Sequence, residues 1–589
     1  MKISEIRIKS IKVKNYRSFG EMQEFKFTDK NKPVAIVGYN NAGKTNLLNA
    51  ILYGITEKYV SKDTFSINDF HNRKIENKPE IIANVVSSEE NKYDGKTANL
   101  TGFHFLNIKV DGNEIEGAKI ECFNNENKEK QNWNSFGATR YYNIFFINFH
   151  EIKKEISTKK TSWGNLTSFL AKHLNKLIES DKNMISKKDN FKTEVRTATE
   201  NILKESSLME FISKIKSNYK TNLRDNNCEI DFGLPDYEDI FLQMMFKIGL
   251  NNDKENLIPI DHFGDGYISM FVMAIIQAIA ESETEDKCLF LFEEPESFLH
   301  ANHQEYFYKI VLCGLAEKGH QVIYTTHSDK MVDLFDTEGL IRIEFNENTK
   351  QTDKRYNELS EFDPEVPKNE ETNKNLVTIE EYNNYIKIIE PNLNKILFSR
   401  KVLLVEGPND LMVYNYIIEQ KLKELGKDDS FSKTYLNFKN FAIIPHHGKI
   451  TAIILIQLCQ HLNLEYYVIN DWDFTDDFIA VLSKFDTEKE YKDSNFYKEE
   501  IKKIESFNIK GESHSEQTKK SMVTTNWKLI KSAGNDKIHF NIPKLENVVG
   551  YDSNDKNSLK IYSQIQNINE FKENIFPEKL NKFLELDKI

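Results

Sequence analysis

Val34-Ala35-Ile36-Val37-Gly38-Tyr39-Asn40-Asn41-Ala42-Gly43-Lys44-Thr45 joins four apolar residues to a glycine-bearing loop. The residues that follow, from Lys44 to about Tyr53, repeat at helical spacing. The order strand, G-x-x-x-x-G-K-T, helix is what a phosphate cradle requires. Backbone N–H groups of such a loop wrap phosphate oxygens, and the helix N-terminus adds a favourable dipole. Gly38, Asn40, Asn41 and Gly43 shape the cradle, Lys44 reaches the β- and γ-phosphates, and Thr45 is placed to ligate Mg²⁺. The expected ligand is therefore ATP with Mg²⁺.

Two downstream strands complete this pattern. Cys288-Leu289-Phe290-Leu291-Phe292 ends in Glu293-Glu294-Pro295-Glu296, and Val322-Ile323-Tyr324-Thr325-Thr326 ends in His327-Ser328. Carboxylates at a strand tip beside a phosphate loop serve Mg²⁺ and an attacking water. His327, at the end of the second strand, is placed to contact a γ-phosphate.

A second acidic group lies farther on. In Arg400-Lys401-Val402-Leu403-Leu404-Val405-Glu406-Gly407-Pro408-Asn409-Asp410 a buried strand turns into a helix, with Glu406 at the strand tip and Asp410 in the first helical turn. Some sixty residues later, Tyr466-Tyr467-Val468-Ile469-Asn470-Asp471-Trp472-Asp473 forms another such strand. Asp471 and Asp473 share one side if the chain stays extended. Carboxylates gathered from neighbouring strand tips make a hard-oxygen site suited to Mg²⁺ or Mn²⁺.

Taken in order, these segments resemble the ABC-type ATPases of the SMC, Rad50 and RecF kind followed by a Toprim fold. Lys14-Asn15-Tyr16-Arg17-Ser18-Phe19 is similar to the N-terminal strand of such heads, which implies that Arg17 lies near the nucleotide, and the same resemblance implies that Glu293 holds the metal position and Glu294 activates water. Their signature segment is matched by His262-Phe263-Gly264-Asp265-Gly266-Tyr267, where Asp265 departs from the usual pattern. The stretch Leu397-Phe398-Ser399-Arg400-Lys401-Val402-Leu403-Leu404-Val405-Glu406-Gly407 in particular resembles the OLD (overcoming lysogenization defect) nucleases. The Gabija nuclease subunit and retron-linked OLD effectors share this domain plan. The resemblance implies an α/β protein, with a head at 1–345, a helical insertion or dimerisation region at about 155–255, and a Toprim domain at 391–589. It implies a metal-dependent DNA endonuclease with Glu406, Asp410, Asp471 and Asp473 as ligands, joined by Glu546 and a lysine. Lys556 is the expected lysine, with Lys560 and Lys537 as rivals. The resemblance also implies use in anti-phage defence, a homodimer or higher oligomer, and a helicase or similar partner.

Composition bounds these expectations. The net charge is −12, so DNA must be met by a local basic surface or by cations on the carboxylates. The five cysteines contain no C-x-x-C pair, against a zinc knuckle or disulfide framework. The apolar run from Ser269 to Ala280 is too short to span a bilayer, and the start is unlike a signal peptide, so a cytoplasmic protein without membrane contact is expected. Leu166, Phe169, Leu170, Leu174, Leu177 and Ile178 recur at helical spacing within the insertion. Residues 346–375 are polar and read as a linker, part of the span 346–390 between the domains. Two other readings use the same motifs: a non-nucleolytic SMC-like DNA clamp, and a Toprim topoisomerase or primase. No segment marks the active-site tyrosine domain of a topoisomerase.

Overall fold

The computed structural model describes residues 5–55, 60–88, 91–93, 96–98, 100–130, 142–156, 170, 182–204, 206–223, 247–249, 255–281, 287–365, 378–506, 514–551 and 557–589. It divides into two compact units. One comprises Met1–Ala35 and Thr45–Thr326, and the other Ile36–Lys44 and His327–Ile589.

In the first unit, strands in the order Gln23–Lys26, Ile6–Lys14, Glu80–Ser87, Gly102–Asp111 and Glu114–Phe123 form an antiparallel sheet. The strand Ile6–Lys14 alternates, burying Ile6, Ile8, Ile11 and Val13. Three further strands, Ile144–Asn148, Leu289–Glu293 and Gln321–Thr326, pair in parallel. Their near-continuous apolar runs suit strands covered on both faces. Phe290 and Phe292 stack on one another within this core. The helix Lys44–Ile55 follows the phosphate loop, and Asp265–Glu281 begins at the glycine-rich segment. Of the apolar positions in the expected insertion, Leu170 is described and buried, whereas Leu166, Phe169, Leu174, Leu177 and Ile178 lie outside the described residues.

In the second unit, Ile36 and Val37 pair in parallel with Ile341–Asn346, which turns back into Gln351–Tyr356. The span expected to link the domains therefore holds a strand, and also the helix Ile379–Ile389 with its Thr378 cap. A four-stranded parallel sheet follows, ordered Phe441–Pro445, Lys401–Val405, Glu465–Asp471 and Ile538–Asn541. Helices Pro408–Glu424, Lys449–His461 and Glu516–Ala533 flank it in sequence. In such open α/β sheets, ligands bind outside the carboxyl ends of the strands. Glu406, His446 and Asp471 all stand at those ends. Among the described residues, no helix is long and apolar enough to cross a membrane.

Candidate active sites

The phosphate loop has the backbone its motif requires. Asn41 and Gly43 take positive φ, 65° and 101°. Gly38 lies so close to the neighbouring strand that a Cβ there would meet the Ile343 carbonyl oxygen at 2.4 Å. Lys44 is buried, and its Nζ donates to the carbonyls of Gly38 (2.9 Å) and Tyr39 (3.2 Å). The same Nζ is 3.0 Å from His327 Nδ1. An ammonium only donates, so Nδ1 accepts and the ring proton belongs on Nε2.

Thr45 hydrogen-bonds Glu293, a buried carboxylate at the tip of its strand. Burial raises the Glu293 pKa, opposed by the Thr45 bond and reinforced by Glu294. Glu294 has φ 44°, and its amide donates to Thr325 Oγ1 at 3.1 Å. Its carboxylate is 2.6 Å from His150 Nε2. Arg17 is also left-handed, at φ 48°. Its Nε donates to Asp69 at 2.8 Å, and Nη1 reaches Asn46, the residue after Thr45, at 3.3 Å. In the glycine-rich segment, Asp265 opens its helix and faces Lys153 at 3.3 Å.

The second acidic site is built at the ends of the parallel strands. Glu406 Oε2 accepts from the Asp471 amide at 2.9 Å and from Asn470 Nδ2 at 3.1 Å, tying two adjacent strand tips together. Asp410 is in the first turn of its helix, where Oδ2 accepts from the Gly407 amide at 3.1 Å. Its other oxygen, Oδ1, is buried without a hydrogen-bond partner. Burial, then the charges of Glu406 and Glu546, raise the Asp410 pKa to about 8. Asp471 is pushed well up by burial, then by Glu406 and Asp410. Glu546 is buried beside them, its neighbour Leu545 donating an amide to Asp471 Oδ1 at 2.8 Å. Beneath the cluster, the buried Tyr414 hydroxyl donates to Asn541 Oδ1 at 3.1 Å.

Asp473 differs from its neighbours. The strand ends at Asp471, and Asp473 has φ 67°, so the two-residue alternation stops there. The amides of Trp472 and Asp473 both donate to the Pro543 carbonyl, which turns the chain. Asp473 is held by Lys449 at 2.7 Å and Lys544 at 3.2 Å. Burial works to raise its pKa, but the two lysines outweigh it and hold the carboxyl below its ordinary value. Lys449 Nζ also donates to Asn526 Oδ1 at 2.8 Å.

Among the described residues, Lys449 and Lys544 are thus the lysines held at the site. Of those expected from sequence, Lys556 lies outside the described residues. Lys560 is exposed on the helix Ser558–Ile565, and Lys537 covers the Tyr466 ring. Lys449 ends the segment His446-His447-Gly448-Lys449, which from sequence could line the groove but reads as loop. Its lysine opens a helix after Gly448, at φ 134°, and that turn aims it at Asp473. Lys544 immediately precedes Leu545-Glu546, a proximity the sequence does display.

Among the described residues, no three His, Cys, Asp or Glu side chains stand at coordination spacing. Glu406, Asp410, Asp471 and Glu546 are linked by mutual repulsion instead. Their chemistry fits a hard divalent cation: an all-carboxylate set, a buried oxygen on Asp410 lacking a donor, and two carboxyls that burial and like charge disfavour as anions.

Comparison with known proteins agrees with both halves. A family model described as AAA ATPase domain matches residues 6–332, more than half of the chain. The chain belongs to this ATPase family. A second model, the TOPRIM domain of overcoming-lysogenization-defect-like proteins, matches residues 397–473, so the ABC-type head is followed by an OLD-like Toprim domain. Among curated relatives, the OLD nuclease of Thermus scotoductus is 24% identical over 79% of this chain and 82% of its own. The endonuclease GajA of Bacillus cereus strain VD045 is 24% identical over 73% and 72%. The Old nuclease of Escherichia phage P2 is 24% identical over 80% and 78%. Of the solved structures, an Smc head domain from Pyrococcus furiosus aligns at 15% identity with a TM-score of 0.32, over 59% of this chain and 96% of that one. That alignment is too loose for any argument from shape.

Proposed function

We propose that this chain is an ATP-binding, nucleotide-regulated, metal-dependent DNA endonuclease that works in anti-phage defence. The observation that carries the reading is the cluster of Glu406, Asp410, Asp471 and Glu546 at the strand ends, next to an Asp473 flanked by two lysines. The relatives' names, OLD nuclease and endonuclease GajA, support phosphodiester hydrolysis, and the defence role rests on the family resemblance.

Glu406, Asp410, Asp471 and Glu546 would hold Mg²⁺ or Mn²⁺, and a bound divalent cation supplies Lewis acidity toward a phosphodiester and a water. The chain's own residues do the rest. The Asp471 amide and Asn470 fix the Glu406 carboxylate through Oε2, so it is held at the strand tip without a rotamer search. Asp473 holds Lys449 and Lys544 as fixed positive charge at the edge of the site, where charge builds on a cleaved phosphate.

In the head, Lys44 and Thr45 would meet the phosphates of ATP and its Mg²⁺, with Glu293 at the metal position and Glu294 toward water. His327 and Arg17 take supporting places. A head of this kind completes its site with a second copy, which supports a homodimer or higher oligomer. The cytoplasm suits all these ligands, and a helicase is a fitting partner for a nuclease acting on invading DNA.

The test is plasmid cleavage in Mg²⁺ and in Mn²⁺, with and without ATP, for the parent and for Asp471→Ala and Glu406→Ala. The parent should cut and both variants should lose cutting while still titrating an ATP analogue. Full cleavage by both variants would move the nuclease elsewhere in the chain, and a parent that does not cut would favour the non-nucleolytic clamp.

A further inference from the structure

The hairpin of Ile341–Asn346 and Gln351–Tyr356 touches the phosphate loop on one side. Arg342 pairs with Val37, the residue before the loop. Gly38 abuts the Ile343 carbonyl. The Tyr39 hydroxyl donates to the Phe345 carbonyl at 2.5 Å, and Thr352 Oγ1 donates to the Ala42 carbonyl at 2.8 Å. The loop that meets phosphate is therefore fastened to this hairpin at both ends.

The same hairpin grips the elements that carry the acidic site. Arg342 is 4% exposed. Its Nε donates to the Leu397 carbonyl at 3.1 Å and its Nη2 to the Ser399 carbonyl at 2.7 Å. These carbonyls sit just before the strand Lys401–Val405, whose next residue is Glu406. At the hairpin's other end, the Tyr356 hydroxyl lies 2.7 Å from His461 Nε2. His461 closes the helix that Lys449 opens, about 18 Å away along a rigid rod.

Arg342 is an unusual choice for mere packing. Burial lowers its pKa to about 10 against the opposing charge of Glu344, and its Nε and Nη2 donate to carbonyls rather than to that carboxylate. Buried charges are often replaced by apolar groups without loss of stability, so the fold alone does not call for one here. A planar guanidinium does hold two carbonyls in one fixed geometry, which an apolar side chain cannot.

We propose that the hairpin Ile341–Tyr356 transmits the state of the phosphate loop to the acidic site, with Arg342 as the positioning residue that ties it to the strand bearing Glu406. The proposal rests on the reading of the chain as a nucleotide-regulated nuclease and names the physical link for that regulation. A displacement of the loop on binding phosphate moves Val37 and Gly38, hence Arg342, hence the Leu397 and Ser399 carbonyls. The Tyr356–His461 contact carries a parallel displacement toward Lys449.

The experiment compares the full-length parent with Arg342→Met and Arg342→Lys. Hydrogen exchange of segments 36–44 and 401–406 is followed with and without a non-hydrolysable ATP analogue, beside cleavage rates with and without ATP. In the parent, the analogue should change exchange in both segments, and ATP should change cleavage by at least about fivefold, the lower end of usual coupling. In both variants the response at 36–44 and the nucleotide-free cleavage rate should persist. The response at 401–406 should vanish, and the ratio of rates should fall toward one, with only the part carried by the Tyr356–His461 contact remaining. If the two substitutions unfold the chain, Tyr356→Phe, which removes one hydroxyl from the second link, should lower the same ratio. Variants that keep the parental ratio and the 401–406 response overturn the proposal, as does a parent whose 401–406 segment ignores the analogue. The exchange measurement needs no nuclease activity, so a chain that does not cut DNA refutes the enzymatic reading separately.

Discussion

Asp410→Asn should stabilise the metal-free protein, and increasingly so as pH rises. The folded chain holds this carboxyl at about 8, against an ordinary 3.8, chiefly through burial and then through Glu406 and Glu546. The sign follows from proton counting. Between pH 4 and 8 the folded state keeps a proton there that the unfolded state has released, so stability falls as pH rises through that window. At about 1.4 kcal/mol per tenfold change, the full displacement corresponds to roughly 6 kcal/mol by pH 8, an upper bound. Asp471 shares the same repulsion, so a single substitution should recover roughly 2–3 kcal/mol of it. Asparagine keeps the oxygen that accepts from Gly407 and therefore the helix cap. The assay is chemical denaturation in EDTA at pH 5.5, 6.5, 7.5 and 8.5, fitted for parent and variant. The gap should be small at pH 5.5 and widen steadily. Millimolar Mg²⁺ should raise the parent's midpoint and move the variant's much less, because binding to the folded state alone stabilises it. A variant no more stable than the parent at pH 8.5 would refute the reasoning, since the carboxyl would then be ionised without strain.

Two further outcomes test the assignments residue by residue. Lys44→Ala should abolish binding of a non-hydrolysable ATP analogue in calorimetry while the melting temperature stays near the parent's, because the hydrogen bonds of Lys44 to the Gly38 and Tyr39 carbonyls and to His327 lie at the loop itself. Lys449→Met should slow DNA cleavage by about 100-fold with analogue binding unchanged, the usual cost of removing one fixed charge from a reacting centre. Lys556→Met serves as the rival, and loss of cleavage there with retention in Lys449→Met would reverse the assignment.

What the sequence displays and what it hides follow from how far each arrangement depends on packing. The phosphate loop is local: strand, glycines, lysine and helix are neighbours in the chain, and the positive φ at Asn41 and Gly43 belongs to the motif itself. Glu406 and Asp471 are legible for a similar reason, since an apolar strand ending in an acid announces a strand tip, and Asp410 follows in the helical turn after Glu406. Asp473 was only half legible. Its spacing from Asp471 implies a shared side, but the Pro543 carbonyl captures two successive amides and turns the chain out of extension. Lys449 and Lys544 reach Asp473 from opposite ends of a hundred-residue stretch, and only the strand order of the sheet brings them together. No periodicity encodes that.

The hairpin was hidden differently. Gln351-Thr352-Asp353-Lys354-Arg355-Tyr356 carries no apolar alternation and so reads as linker, yet Thr352 and Tyr356 are buried. Their inward hydroxyls are spent on the Ala42 carbonyl and on His461. A strand that faces polar partners on its inner side loses the hydrophobic signal by which strands are recognised. The same polar contacts are what let it hold a phosphate loop on one side and a catalytic domain on the other, so its illegibility and its proposed role share one cause. Apolar packing would have fixed the hairpin in place with no directional hold on either neighbour. Hydrogen bonds from Tyr39, Thr352, Arg342 and Tyr356 are directional, and a shift in the loop must either move their partners or break them.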